Sequence, residues 1–234
     1  MKKLYFLTFA LLLFSSALRG QTVLSENFEG GTDVSWLPAG WSVIDANNDN
    51  RNWRFHTYSG YGAQVHSGNG CMISDSWYSG QGACTPDNWL VTPAVTLPAN
   101  AVLYYWVVAQ NHYYTGENYG VYISTNGGNT PNDFVSLFEE SSVPSTYEQR
   151  AISLAAYAGQ TVRLAFRHYN CYDEYWMNID DVVITNDPSA GGGTTPIVPG
   201  PGDQCSLQIH LERTLGASSA TYSVYYMVNN NYSS

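Results

Sequence analysis

The chain reads as an all-β protein, a jelly-roll β-sandwich of two antiparallel sheets, on three observations. Charged residues are only 12% of its 234 residues and aromatics are 15%, with 19 Tyr and 21 Gly. Such a composition suits strands and tight turns rather than helices. Short apolar runs broken by turn clusters recur from residue 22 to residue 185, and no stretch carries a long stripe of 3.6-residue period. Many short strands at this spacing make a sandwich or barrel, and the jelly roll packs two antiparallel sheets face to face.

Residues 1–20 carry the pattern of an export signal. Lys2 and Lys3 form a charged start, residues 4–14 an apolar stretch, and Gly20 a small residue before a cut at Gln21. That stretch is too short to span a bilayer. Residues 21–186 then form the main domain. Its predicted strands are 23–28, 41–44, 53–57, 71–74, 89–92, 102–109, 119–124, 134–140, 147–154, 162–168 and 175–184. In 162–168, Val162, Leu164 and Phe166 share one face, and Arg163 and Arg167 the other, the alternation of a half-buried strand. Asn126-Gly127-Gly128-Asn129 is a turn between two such runs. Residues 187–203 are Gly/Pro-rich, which predicts a linker with nothing to bury. Residues 204–234 contain two alternating runs, a short β-hairpin expected to open a second, partial module.

Nineteen acids against nine bases give a formal net charge of -10. An acidic surface repels phosphate backbones, which argues against nucleic acid as a partner and suits divalent cations. Export places the chain outside the cell or on its surface, with no membrane insertion once the signal is removed, and permits disulfides. Four cysteines, Cys71, Cys84, Cys171 and Cys205, allow three pairings. The short Gly/Ser-rich loop between Cys71 and Cys84 makes a local bridge the first choice.

Asp45, Asn47 and Asp49 place oxygen side chains at alternate positions of one loop, the first half of a calcium-loop pattern. The second half is missing: Asn50 stands where Gly is usual, and His56 at the twelfth position where Glu is usual. A plain turn rich in Asn and Asp is the competing reading.

Six segments resemble, in order, the cleaved-adhesin family of haemagglutinin and gingipain-type proteins. They are NFEGG (27–31), LPAGWSVIDANNDNRNW (37–53), PDNWLVTPAVTLP (86–98), LYYWVVAQN (103–111), VYISTNG (121–127) and LAFRHYNCYDEYWMNIDDVVI (164–184). The resemblance implies a calcium-stabilised jelly roll that binds host extracellular proteins, of haemoglobin or matrix type, with no protease domain. It also implies an ion shared by carboxylates from the two ends of the domain, Glu29 with Asp180 and Asp181. Because neighbouring strand residues point to opposite faces, one of the two aspartates, Asp180 by preference, is expected to be the ligand.

Catalytic motifs are absent from the sequence: no nucleophile elbow, zinc-protease helix or phosphate loop. Cys171 and His168, three apart at a strand end, are expected on opposite faces. Glu139–Glu140 and Asp173–Glu174 are adjacent pairs, which do not face each other across a sugar. Function then rests on aromatic side chains in expected loops: Tyr58, Tyr61, Trp77, Tyr78, Tyr113, Tyr114, Tyr172 and Tyr175. Tyr and Trp give wide contact at small entropic cost. Trp77, Tyr113, Tyr114 and Tyr172 are the candidate ligand contacts, for proteins or, in a carbohydrate-binding alternative, for glycans. Core packing competes with contact at each of them.

Overall fold

A computed structural model describes residues 20–57 and 64–199. The export signal, Tyr58, Tyr61, Cys205, the end of the expected linker and the 204–234 hairpin lie outside the described residues.

Fourteen strands succeed one another in chain order: β1 (Thr22–Glu26), β2 (Ser42–Asp45), β3 (Arg54–Thr57), β4 (Gly70–Asp75), β5 (Trp77–Tyr78), β6 (Gly82–Ala83) and β7 (Asp87–Val91), then β8 (Val95–Thr96), β9 (Val102–Ala109), β10 (Tyr119–Ser124), β11 (Val135–Glu140), β12 (Glu148–Ser153), β13 (Thr161–Tyr169) and β14 (Trp176–Thr185). All eleven strands read from the sequence are present. The three not foreseen, β5, β6 and β8, have two residues each, too few to show alternation. Among the described residues, no helix is long and apolar enough to cross a membrane.

One sheet runs β12-β9-β14-β4-β3 with β1 also on β14, and the other runs β11-β10-β13-β7-β2 with β8 also on β13. Every ladder is antiparallel. The inner faces interdigitate into one core. Leu103, Tyr105, Val107 and Ala109 of β9 meet Tyr119, Val121 and Ile123 of β10 and Val162, Leu164 and Phe166 of β13. Arg167 lies on the outer face as its alternation requires, paired with Asp87 and stacked over Trp89 and Tyr169.

Two features of this frame position the candidate sites. First, β14 holds β9 along one side throughout, but on the other side its start pairs with β4 and its end with β1. The register slips between Asp180 and Val183. Core-facing residues accordingly switch from Met177 and Ile179 to Val182 and Ile184, the parity change made by one extra residue in a bulge. Second, the inner faces turn polar at one end of the sandwich. Ser74 follows Met72 on β4, Asn88 precedes Leu90 on β7, and His168 follows Phe166 on β13, all three fully buried.

The segment expected to be a free linker begins as part of the domain. Ile197 donates its N–H to Ala151 O (2.7 Å) and accepts that of Ser153 (2.7 Å), while Thr194 Oγ1 reaches Gln149 Oε1. Composition missed this because the docking uses backbone groups of the edge strand β12, which any residue but Pro can supply.

Candidate functional site

The β14 bulge assembles a carboxylate clasp where β4 gives way to β1. The chain leaves β1 through Phe28, whose φ of 54° turns Glu29 toward the segment that leads into β4. Both Glu29 oxygens accept the Asn69 N–H, and Oε1 also takes that of Gly70. Gly68 lies under the carboxylate, with φ of 59°; a Cβ there would stand 2.1 Å from Glu29 Oε1, so only glycine fits. Asp180 Oδ2 accepts the N–H groups of His66 and Ser67. Asp181 takes His66 Nδ1 at 2.6 Å and Ser67 Oγ at 3.0 Å.

Both aspartates therefore grip the same short segment, against the expectation that strand alternation would split them. The cause is the bulge: Asp181 adopts φ of 47°, which breaks the two-residue period at that point. Asp180 is fully buried, and burial together with the neighbouring Asp181 carboxylate pushes its pKa up to about 7. Its negative charge is thus poorly compensated by its protein partners. Hard oxygens and surplus buried negative charge are what a calcium ion takes up, but as folded Glu29, Asp180 and Asp181 do not bring three ligand atoms within 4.8 Å of one another.

The loop 45–49 is built differently. Asp45 accepts the N–H groups of Asp49 and Asn50, Asp49 accepts that of Arg51, and Asn47 turns to the Thr85 carbonyl. The carboxylates serve the loop's own amides, as in an Asx turn, and as folded they gather no common set of oxygens.

The opposite feature is the polar end of the sandwich. Loops 111–118 and 170–174 lie side by side there. Gly116 N–H donates to Glu174 Oε2, Tyr169 N–H to Asn118 O, and Asn118 Nδ2 to Asn170 O. On their outer side Tyr113, Tyr114 and Tyr172 are 81%, 47% and 63% exposed. Trp77 is half-buried instead: it lies in β5 and stacks on Tyr175, which stacks on Trp176. Tyr78 is covered by the guanidinium of Arg51 at 4.3 Å.

A profile of the Cleaved Adhesin Domain matches residues 21–184. The chain belongs to the cleaved adhesin domain family. It is 39% identical to Hemagglutinin A of Porphyromonas gingivalis (strain ATCC BAA-308 / W83) over 192 residues, 74% of this chain and 9% of that protein. It is 37% identical to Lys-gingipain W83 of the same species, over 71% of this chain and 10% of that protein. Among solved structures it resembles the K3 cleaved adhesin domain of Lys-gingipain from P. gingivalis W83. The two are 38% identical, with a TM-score of 0.60 and coverage of 71% of this chain and 99% of that one. The K1 domain is similar, at 37% identity, a TM-score of 0.61, and 70% and 98% coverage. The chain thus spans about a tenth of the length of the curated relatives it matches.

In this cleaved adhesin domain two expectations about cysteine are corrected. Cys71, Cys84 and Cys171 are free thiols, so the Cys71–Cys84 bridge is not formed. Cys71 packs with Ile73, Val65 and Trp176 at the start of β4, whereas Cys84 hydrogen-bonds Asp75 O and Ser76 O past its end. At roughly 3.3 Å per strand residue that separation exceeds disulfide reach about twofold. Cys171 and His168 do not diverge: Sγ lies 3.1 Å from Nε2. The strand stops at Tyr169, and Asn170, at φ of 54°, turns the chain back so that Cys171 returns beside the strand end. Sequence reasoning passed over Glu117 altogether. The available signal was His168 itself, which continues the inward register of Val162, Leu164 and Phe166 and so had to be paired inside the core.

Proposed function

We propose that this cleaved adhesin domain is an exported, non-catalytic binding module. It attaches to host extracellular proteins, of haemoglobin or matrix type, through loops 111–118 and 170–174 of a calcium-stabilised sandwich. The observation that carries the reading is the exposure of Tyr113, Tyr114 and Tyr172 on two loops that brace each other. Large aromatic faces left in water on an ordered support are what a binding surface offers before its partner arrives. Glu29, Asp180 and Asp181 would hold the ion, which would fix both ends of the domain to the segment between them.

Geometry weighs against thiol catalysis. A nucleophilic cysteine needs one imidazole nitrogen for itself and the other for the orienting acid. Here Cys171 and Glu117 both meet Nε2, and Nδ1 belongs to Ser74. Burial pushes the Cys171 thiol up, and the Glu117 carboxylate pushes it further. Glu140 is occupied by Arg150 and Tyr119, and Glu139 by Tyr122.

Glycan recognition is the alternative, favoured by one observation. A shallow surface depression lined by Asn47, Asp87, Arg167, Tyr169 and Asn170 offers an aromatic face beside polar groups. A host-protein panel run beside a glycan array separates the two readings. Saturable binding to haemoglobin, fibrinogen or fibronectin supports the first. Sugar-specific binding with no protein ligand replaces it with the second.

A further inference from the structure

Among the described residues one group of His, Cys, Asp or Glu side chains brings three ligand atoms within 4.8 Å of one another: Glu117, His168 and Cys171, all buried. Each comes from a different place in the fold. Glu117 ends loop 111–118, His168 lies at the inward-facing end of β13, and Cys171 comes after the turn at Asn170. Glu117 Oε2 is 2.8 Å from His168 Nε2, and Cys171 Sγ is 3.1 Å from the same nitrogen. Two side chains therefore converge on one ring nitrogen. The single position on Nε2 serves only one of them at a time, and the thiol's other partner is the same Glu117 carboxylate; a metal ion engages all three at once.

We infer that Glu117, His168 and Cys171 form a zinc site that staples the two loops to the end of the sandwich. The donors are one carboxylate oxygen, one imidazole nitrogen and one sulfur, a set suited to zinc and unsuited to the hard ions calcium and magnesium. Tetrahedral zinc holds such atoms about 3.3–3.6 Å apart. The observed 2.8 and 3.1 Å are the hydrogen-bonded form of the same arrangement, which opens by roughly half an ångström to admit the ion. The supporting contacts are in place. Nδ1 lies 2.8 Å from Ser74 Oγ, which keeps the ring aimed when Nε2 is a ligand. Ser76 Oγ holds Glu117 Oε1 at 2.9 Å. Asn88, also fully buried and hydrogen-bonded to Ser74, leaves its Oδ1 without a partner among the described residues. Binding exchanges the thiol proton for the metal: the S–H bond breaks, the proton leaves to solvent, and the S–Zn bond forms. Thiolate and carboxylate then neutralise the dication inside the core.

This site is separate in place and in metal preference from the carboxylate clasp. Its function would be to hold Tyr113, Tyr114 and Tyr172 on a fixed support. It also gives a reason for Cys171 to stay reduced although Cys84 lies close by: Cys84 and Asp173 donate their N–H groups to the same carbonyl, that of Ser76.

The test is cobalt and zinc titration of the whole metal-free chain. Cobalt at one equivalent should give thiolate-to-metal absorption in the near ultraviolet and tetrahedral bands in the visible, and zinc should bleach both. Cys171→Ser should abolish the thiolate band and weaken zinc by more than about 100-fold, beyond what loss of a supporting contact costs. Glu117→Gln should weaken zinc while retaining the band, and Cys84→Ser should change neither. A cobalt spectrum of the wild-type chain without a thiolate band overturns the inference, as does equal zinc affinity in Cys171→Ser. So does a disulfide at Cys171, found by mass spectrometry of the secreted protein. The readout is metal binding, so failure here leaves the adhesion reading standing, and failure of adhesion leaves the metal site standing.

Discussion

Gly68 and Asp180 decide how the clasp behaves, and each gives a measurable outcome. A methyl group at Gly68 would occupy the position of the Glu29 carboxylate and would impose a left-handed backbone on a side-chain-bearing residue. Gly68→Ala should therefore destabilise the fold by about 1 kcal/mol or more. It should also blunt any calcium-induced rise in melting temperature, read by thermal melts with calcium and with chelator. Asp180 carries the pH dependence. Its pKa is pushed up to about 7 in the fold, against an ordinary value near 4 in the unfolded chain. Between those values the folded state holds a proton that the unfolded state has released. The stability this group provides is therefore full below about pH 4 and is lost as pH rises toward 7. In chelator, melting temperature should fall across that window, and Asp180→Asn should flatten the fall. Calcium should raise the melting temperature more at pH 8 than at pH 5; equal effects at both would separate the ion from this carboxylate. The resemblance to the family, rather than spacing, named Glu29, Asp180 and Asp181 as a set. It could not show that both aspartates act together, because a bulge is a matter of register and leaves no mark in composition.

Strands were the most legible elements. Val162, Leu164 and Phe166 alternate with Arg163 and Arg167, and burial of one face and solvation of the other follows from that pattern alone. Main-chain contacts that carry no side-chain pattern were not legible. The docking of Ile197 on β12 is the clearest case: its N–H and C=O satisfy groups that an edge strand would otherwise show to water. A chain ended after Asp187 should expose that edge. The Ser153 amide, whose partner is the Ile197 carbonyl, should then lose its protection in hydrogen exchange, while core amides of β9 keep theirs. Continued protection of Ser153 in the shortened chain would show that the docking contributes nothing to the edge. Cys171 teaches the same lesson. Strand geometry was applied two residues too far, past the end at Tyr169, and the left-handed Asn170 reversed the direction of the chain.

At the scale of the whole molecule the two features sit at different places on the sandwich. The carboxylates lie midway along β14, where β4 gives way to β1, and one end of the sandwich carries polar inward residues beneath two loops crowned with tyrosine. The core of β9, β10 and β13 gives the loops a packed base, which on the proposed reading would lower the ordering cost of binding. Adhesion through those loops is the central claim, and the affinity of a triple variant tests it most directly. Tyr113→Ala, Tyr114→Ala and Tyr172→Ala together should leave the circular dichroism spectrum unchanged, because all three side chains stand in solvent. Affinity for the protein ligand picked out by the panel should drop by roughly 30-fold or more, the loss of about 2 kcal/mol expected of a hot spot. Undiminished affinity in a correctly folded triple variant would contradict the account and move the binding surface elsewhere on the molecule.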